Sequence, residues 1–212
     1  MRNKARRLFN ADSRGFTLVE VMIAMAIVGA VVGAIYSIFI SSNRSYRTQD
    51  SIADAQQRVR IGLDFMVRDI RMAGLDPAGP ATDAVDSNGA GIKLATASKI
   101  RFTIDADMDG AIEEANSERM SYEYDNGAGQ LKRILYEGTG SQSTQSLIGD
   151  VSAMSFSYLD ANGAAIALPV SAASLANIRT VVISITCQGT DAQGQNFTRT
   201  LNTRVSCRNL GL

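Results

Sequence analysis

The sequence predicts an α+β fold in which one long N-terminal α-helix packs on an antiparallel β-sheet. Three observations support this prediction. Residues 21–40 are apolar and uncharged, residues 43–73 carry apolar side chains at helical spacing, and from residue 100 onward apolar and polar side chains alternate as in strands. Because the helical pattern comes first and the strand patterns follow together, helix and sheet should form separate layers.

The N-terminal segment combines a basic leader with an apolar run long enough to cross a bilayer. An α-helix rises about 1.5 Å per residue, so about 20 residues span the roughly 30 Å hydrocarbon layer. We therefore predict a membrane-spanning helix over the apolar run. Its N-terminus should stay in the cytoplasm, because that side carries Arg2, Lys4, Arg6, Arg7 and Arg14.

Gly15 and Glu20 distinguish this segment from simpler membrane signals. A carboxylate at mid-bilayer costs on the order of 3 kcal/mol, and less near the interface, so a retained carboxylate usually has a partner. A secretory signal peptide has a shorter apolar region followed by a small-residue cleavage site, whereas here Ala24-Met25-Ala26 lies inside the run. A plain signal anchor has the same topology but leaves Gly15 and Glu20 unexplained.

The stretch Arg14-Gly15-Phe16-Thr17-Leu18-Val19-Glu20 resembles the class III signal sequence of type IV pilins and pseudopilins. Gly29 also lies where pilins commonly carry glycine, although the proline that many major pilins have near Ser37 is absent. The resemblance implies that a prepilin peptidase cleaves between Gly15 and Phe16 on the cytoplasmic side. It further implies that the new N-terminus at Phe16 is methylated.

Glu20 is the residue to which the resemblance assigns a role in assembly. In that family, the glutamate of an incoming subunit pairs with the N-terminal amine of a neighbour and sets the axial register. An amine and a carboxylate attract strongly in a low-dielectric setting, and either one is costly to leave unpaired. The alternative is an intrachain pair between Glu20 and the amine of its own Phe16, one helical turn away.

Residues 43–73 continue the helix with one apolar face. The segment has no proline, and Gly62 is its only glycine. Apolar residues recur at spacings of three, four and seven at Ile52, Val59, Leu63, Met66, Ile70 and Ala73. Charged residues occupy the remaining faces, namely Arg58, Arg60, Asp64, Arg68, Asp69 and Arg71. Gly74 and Pro77 are typical of a helix end, so we predict a helix over about residues 17–73.

Six strands are predicted after the helix, separated by segments rich in turn-forming residues. Asp125-Asn126-Gly127-Ala128-Gly129 indicates a hairpin turn, and Met154, Phe156 and Tyr158 should share one strand face. Segments 76–97 and 138–149 are predicted to be loops. The predicted strands cover residues 100–104, 120–124, 131–136, 151–159, 179–187 and 197–207.

Downstream stretches resemble minor pilins of the PilW type, namely residues 63–74, 156–163 and 204–210. The predicted organisation is a prepilin leader (1–15), a transmembrane and polymerisation half-helix (16–40), an amphipathic half-helix (41–75) and a globular β-rich pilin domain (76–212). The resemblance implies a minor pilin that initiates or caps type IV pilus assembly. The alternatives are a minor pseudopilin of type II secretion and an adhesin on a pilin stalk.

The same resemblance implies partners and a location. The partners are other minor and major pilins, the prepilin peptidase and the assembly platform of the inner membrane. Before assembly, the protein would be a single-pass protein of the bacterial inner membrane with its C-terminal domain in the periplasm. It would then join a pilus or pseudopilus.

Composition argues against an enzyme and against a nucleic-acid-binding protein. There is no histidine, the usual general base and commonest metal ligand, and no phosphate-binding glycine motif is present. The formal net charge is zero, and removal of the basic leader leaves a mildly acidic chain without a polyanion-binding character. A membrane-tethered periplasmic enzyme is therefore the disfavoured alternative, and no cofactor is required.

Asp105, Asp107, Asp109 and Gly110 form the opening of a D-x-D-x-D-G calcium loop. The twelfth position of such a loop is Asn116 here rather than glutamate. Completion of a Ca²⁺ shell would fall to one of Glu113, Glu114 and Glu118, among which spacing does not choose. The alternative is an acidic, solvated turn.

Cys187 and Cys207 would lie in an oxidising compartment, where a disulfide is the usual outcome and where pilins often have one. A simple hairpin of the last two strands would place Cys187 opposite about Arg199. At about 3.3 Å per residue, Cys207 would then lie far beyond the roughly 7 Å Cα–Cα limit of a bridge. Either the pairing is less simple or the cysteines are free.

Overall fold

The computed structural model describes residues 15–86, 89–114, 116–191 and 194–210. Helix α1 runs over Leu18–Met72. The chain divides into two compact units, of which the first ends at Tyr46 and the second begins at Arg47. Within the described residues, α1 is the one helix long and apolar enough to span a membrane, and its apolar window is entirely unburied.

The rest of the described chain is mainly β-structure. It contains the four-residue helix α2 (Ala172–Leu175). The strands are β1 (Thr82–Asp83), β2 (Gly91–Ala95), β3 (Lys99–Thr103), β4 (Ala111–Ile112), β5 (Arg119–Asp125), β6 (Gln130–Leu135), β7 (Ser143–Ile148), β8 (Val151–Leu159), β9 (Ala165–Ile166), β10 (Thr180–Thr190) and β11 (Asn196–Ser206).

The strands form two antiparallel sheets and one short parallel pair. The larger sheet has the order β2-β3-β5-β6-β7, the second has the order β11-β10-β8-β9, and β1 pairs with β4 in parallel. The predicted α+β, pilin-like fold is confirmed, with one long helix followed by antiparallel sheets. The predicted hairpin turn joins β5 to β6, where the Asp125 carboxylate accepts the N–H groups of Gly127 and Ala128.

The two predicted loops contain strands, β1 and β2 in the first and β7 in the second, so those predictions were wrong over part of their length. Strand β2 lies within residues 76–97 and β7 within residues 138–149, and both lie at edges of the larger sheet. Edge strands need little apolar surface, and four of the six residues of β7 are exposed. β7 is therefore largely polar, and the Gly-Ile-Lys-Leu-Ala sequence of β2, although mostly buried, also lacks the sustained alternation that marks a half-buried strand.

The second half of α1, residues 47–72, packs one face into the core of the second unit. The predicted stripe is confirmed at Val59, Leu63, Met66 and Ile70, and Ile52 is only half-buried. A side chain at Gly62 would meet Ile148, since an ideal Cβ there lies 2.2 Å from Ile148 Cδ1. Glycine at this position allows the helix to approach the end of β7 closely.

The helix ends as the sequence predicts, at a glycine. Gly74 has φ +80°, a conformation that residues with a Cβ rarely adopt, and its N–H donates to the Thr103 carbonyl at 3.1 Å. A Cβ at Gly74 would also lie 2.5 Å from Leu210 Cδ2. The helix end is thereby fixed to strand β3.

Asp69 is buried, contrary to the prediction that it lies on a charged outer face of the helix. It is 8% exposed and contacts two residues that are paired across strands β5 and β6. The Tyr122 hydroxyl donates to Asp69 Oδ2 at 2.7 Å, and Arg133 donates to the same oxygen from Nη2 at 2.9 Å and Nε at 3.1 Å. Burial, together with the Asp69 carboxylate, raises the pKa of Tyr122. We call these three residues the Asp69 cluster.

A second group of charges lies on the opposite face of the larger sheet. Lys99 contacts Glu137 and also Glu123, the latter at 3.0 Å. Arg119 is 2% exposed and bridges Asp83 and Asp86. Burial tends to raise the pKa of Glu137, but the hydrogen bonds from Lys99 and Ser121 outweigh it and hold that pKa below its ordinary value.

Candidate processing and assembly site

The predicted cleavage position lies just before the start of α1. Gly15, Phe16 and Thr17 are not helical, and the helix begins at Leu18. Phe16 is 87% exposed, and within the described residues no atom other than those of its chain neighbours lies within 4 Å of an ideal Cβ at Gly15. The peptide bond between Gly15 and Phe16 therefore lies outside the helix. Residues 1–14, which include the basic side chains of the predicted leader, lie outside the described residues.

Glu20 forms a reciprocal cap with Thr17 at the helix start. Its Oε2 accepts the Thr17 backbone N–H and the Thr17 hydroxyl, both at 2.9 Å. In return, Thr17 Oγ1 accepts the Glu20 backbone N–H at 3.3 Å. This is a capping box, which satisfies backbone donors that the first turn of a helix leaves unpaired.

The sequence analysis missed this role of Thr17, although the signal is present. Thr17-Leu18-Val19-Glu20 has the T-x-x-E spacing of a capping box directly before an apolar run. The intrachain partner of Glu20 in this structure is thus Thr17. Its predicted pairing with an amine at Phe16, within the chain or between subunits, concerns the cleaved protein and stays a prediction.

The apolar side chains of the first unit are uncovered in the single chain. Among its described residues, only Ile40 is half-buried, and the rest are exposed. Fully burying one large aliphatic or aromatic side chain is worth about 1.5–3 kcal/mol, so this surface has a strong tendency to be covered. A hydrocarbon layer or other apolar helices would cover it.

The three predicted calcium ligands lie together. Oxygen atoms of Asp105, Asp107 and Asp109 are within 4.8 Å of one another. Glu118, one of the candidates to complete the shell, is instead fully buried, and its two oxygens accept the N–H groups of Ala106 and Glu113. A second candidate, Glu114, accepts the Ser141 hydroxyl.

The two cysteines lie at opposite ends of the β10–β11 hairpin. Cys187 is opposite Arg199, as expected for a simple hairpin, while the Cys207 N–H donates to the Arg179 carbonyl at 2.9 Å. Both are free and buried, so the structure does not bear out the disulfide alternative. Burial raises the pKa of the Cys207 thiol to about 11, which keeps it protonated at neutral pH.

Comparison with known proteins gives two family matches. The family described as "Prokaryotic N-terminal methylation motif" matches residues 10–36. The family described as "Prepilin peptidase-dependent protein B" matches residues 48–207, which is most of the chain. The first match includes Gly15, Phe16 and Glu20, and the second includes nearly all of the second unit.

One curated relative is the pilin-like protein PilA3 of Thermus thermophilus. It is 39% identical to this chain over 61 residues. The aligned part is 29% of this chain and 26% of that protein, so the chain matches only about a quarter of the length of this relative.

Proposed function

Because the chain belongs to the family described as prepilin peptidase-dependent protein B, we propose that it is a minor pilin, a structural subunit that initiates or caps type IV pilus assembly. The resemblance stated from the sequence is confirmed: this is a type IV pilin-like protein with a prepilin N-methylation motif. Its apolar N-terminal helix has the length and composition of a transmembrane segment. The proposal adds the role in assembly.

The contrast between the two units is the main observation behind this proposal. The second unit has its own core, in which the face of α1 packs with the inner faces of both sheets. The first unit is apolar and exposed almost throughout. A chain with one complete domain and one uncovered apolar helix is suited to polymerise through that helix.

In this proposal the protein is held in the inner membrane, with its C-terminal domain in the periplasm, until it is assembled. A prepilin peptidase cleaves between Gly15 and Phe16 and methylates Phe16. The partners are other minor and major pilins and the assembly platform, whose separate ATPase supplies the energy. The protein acts by assembling with other subunits and catalyses no reaction.

Glu20 has a double role in the proposed mechanism. Before cleavage, its carboxylate caps the first helical turn through Thr17. After cleavage, the free amine of Phe16 is the only new cation at this end of the helix. Glu20 then pairs with the Phe16 amine of a neighbouring subunit and sets the axial register, because an unpaired charge is costly in an apolar bundle.

The first experiment is to determine the intact mass and the N-terminal residue of the protein purified from native membranes. We expect a chain that begins at methylated Phe16, and we expect Gly15→Ala to abolish cleavage. Gly29→Ala is the matched control, because both glycines have open space at the Cβ position and only Gly15 adjoins the proposed cleavage point. A chain that still begins at Met1, or that is cut after the apolar run, would contradict the proposal.

A deletion strain separates the proposed role from the pseudopilin alternative. Loss of surface pili, with secretion of exoproteins unchanged, is the result expected for a minor pilin. Restoration by the wild-type gene and not by the Gly15→Ala gene would connect the phenotype to processing. Lost secretion with normal pili would instead assign the protein to type II secretion.

A further inference from the structure

We propose that the acidic loop, residues 105–114 and 116–118, is a Ca²⁺ site built on Asp105, Asp107 and Asp109. The alternating carboxylates place their oxygens within 4.8 Å of one another, close enough to share one ion. Glycine follows the third carboxylate, and Gly110 has φ +83°, which permits the sharp turn that this pattern needs. The proposal is independent of the assembly role.

An unpaired oxygen at the base of the loop is the second and separate observation. Asp105 is fully buried, and its Oδ2 accepts the Gly110 N–H at 3.1 Å. Its Oδ1 is buried and has no hydrogen-bond partner within the part of the chain that the structure describes. No cationic side chain in the described part of the chain forms an ion pair with Asp105. A buried carboxylate oxygen without a partner is costly, and a cation between the three aspartates would remove that cost.

The loop is held in place from both sides, so the carboxylates are arranged before any ion binds. The Asp105 N–H donates to the Leu75 carbonyl at 2.8 Å, just after the end of α1. The Gly110 carbonyl accepts the Thr82 N–H at 2.9 Å, which connects the loop to strand β1. Buried Glu118 binds two further loop N–H groups. This fixed frame lowers the ordering cost of binding.

The donor set favours calcium. Carboxylate oxygens are hard ligands, and Ca²⁺ accepts six to eight oxygens in flexible geometry, whereas Mg²⁺ needs a near-ideal octahedron. Asn116 lies beside the three carboxylates, because its amide nitrogen donates to Asp107 Oδ2 at 2.8 Å. Asn116 occupies the position that holds a bidentate glutamate in a high-affinity calcium loop. We therefore expect water molecules to complete the Ca²⁺ coordination shell. The affinity should fall in the range of extracellular modules, about 10⁻⁴–10⁻³ M.

The test is calorimetric titration of the full-length protein in detergent micelles with CaCl₂ alone, together with thermal unfolding in Ca²⁺, Mg²⁺ and chelator. We expect one bound Ca²⁺ and an unfolding midpoint about 5–10 °C higher at a hundredfold excess over Kd. The double variant Asp107→Asn/Asp109→Asn should lose about tenfold or more in affinity. The matched control Asp64→Asn/Asp160→Asn removes the same charge away from the loop and should keep the wild-type response.

Asp105→Asn distinguishes an ion site from a purely structural carboxylate. Asparagine keeps an acceptor for the Gly110 N–H but removes the buried charge. We expect this variant to lose the Ca²⁺ response while its midpoint in chelator equals or exceeds that of the wild type. An absence of heat and of any midpoint change at about 100 mM Ca²⁺, a hundredfold excess over the weakest expected Kd, would overturn the proposal. So would an equal response to Mg²⁺, or a response that survives in the Asp107→Asn/Asp109→Asn variant.

Discussion

The two halves of helix α1 have the same backbone and opposite surroundings. In the first half, residues 18–46, the apolar side chains surround the helix and, apart from half-buried Ile40, are exposed. In the second half, residues 47–72, they form one stripe that the sheets cover. The difference shows that the distribution of apolar residues decides whether a helix is covered by its own chain or depends on a bilayer or other subunits.

The polar residues of the two halves differ in the same way. Asp69 in the second half is fixed by Tyr122 and Arg133 of the same chain. Among the described residues, the side chain of Glu20 in the first half bonds only to Thr17, the residue just before the helix. The second half is therefore specified by its own fold, whereas the specificity of the first half must come from outside the chain.

The largest expected effect comes from breaking the Asp69 cluster. Asp69→Ala leaves Arg133 without its carboxylate in a largely buried position, and loss of one partner of a buried pair costs about 3–5 kcal/mol. Since Arg133 is partly exposed, we expect about 2–4 kcal/mol less free energy of unfolding. Denaturant unfolding of the full-length protein measures this. Asp64→Ala, on the exposed face of the same helix, should change it by less than about 0.5 kcal/mol.

The next effect compares two glycines, one in each half. Gly62→Val should lower the free energy of unfolding by about 1–3 kcal/mol, because the added side chain overlaps Ile148. Gly33→Val should leave the unfolding of the second unit unchanged, because nothing lies within 4 Å of its Cβ position. Thermal unfolding followed by circular dichroism distinguishes them. Equal midpoints for the two variants would contradict the close approach at Gly62.

A smaller effect concerns the acid stability of the second unit. The folded pKa of Glu137 lies below its ordinary value of 4.5, so the folded state binds fewer protons there than the unfolded state. The resulting stability is complete above pH 4.5 and is lost as the pH falls through the folded pKa. We expect Glu137→Gln to reduce the difference in unfolding free energy between pH 7 and pH 3.5. An unchanged pH profile would exclude this carboxylate as a contributor.

The smallest effect on the folded domain comes from the helix start. Thr17→Val removes the hydroxyl of the capping box, which costs the first turn about 0.5–2 kcal/mol. We expect faster hydrogen exchange at the amides of residues 18–20 and no change in the unfolding midpoint of the second unit. Thr17→Ser retains the hydroxyl and is the control. A lowered midpoint in Thr17→Val would mean that the two halves are energetically coupled.

The sequence predicted most of the fold because its strongest patterns are local. The long apolar run, the stripe through Val59 and Ile70 and the stop at Gly74 depend on spacing within one helix. Edge strand β7 was missed because four of its six residues are exposed, and β2 was missed because its Gly-Ile-Lys-Leu-Ala sequence lacks sustained alternation. Asp69 was misplaced because its partners lie 53 and 64 residues away, and a spacing pattern contains no such information.

For the candidate sites too, local sequence patterns were predictable and contacts between distant residues were not. Gly15, Phe16 and Glu20 belong to one short motif, which could be identified without a structure. The convergence of Asp105, Asp107 and Asp109 was also predictable from their alternation. Sequence spacing could not reveal that Glu118 is occupied by backbone N–H groups, or that one oxygen of Asp105 is buried and unpaired within the described chain.

The Asp69 cluster has a mechanical consequence for a subunit of a fibre. A stripe such as Val59, Leu63, Met66 and Ile70 nearly repeats itself after one helical turn, so apolar contacts alone would allow the helix to slip along the sheet by about 5.4 Å. Such a slip would separate Asp69 from Tyr122 and Arg133 and leave the Asp69 carboxylate buried without a partner. The hydrogen bonds from Tyr122 and Arg133 to Asp69 would therefore resist sliding of α1 under tension until they break together.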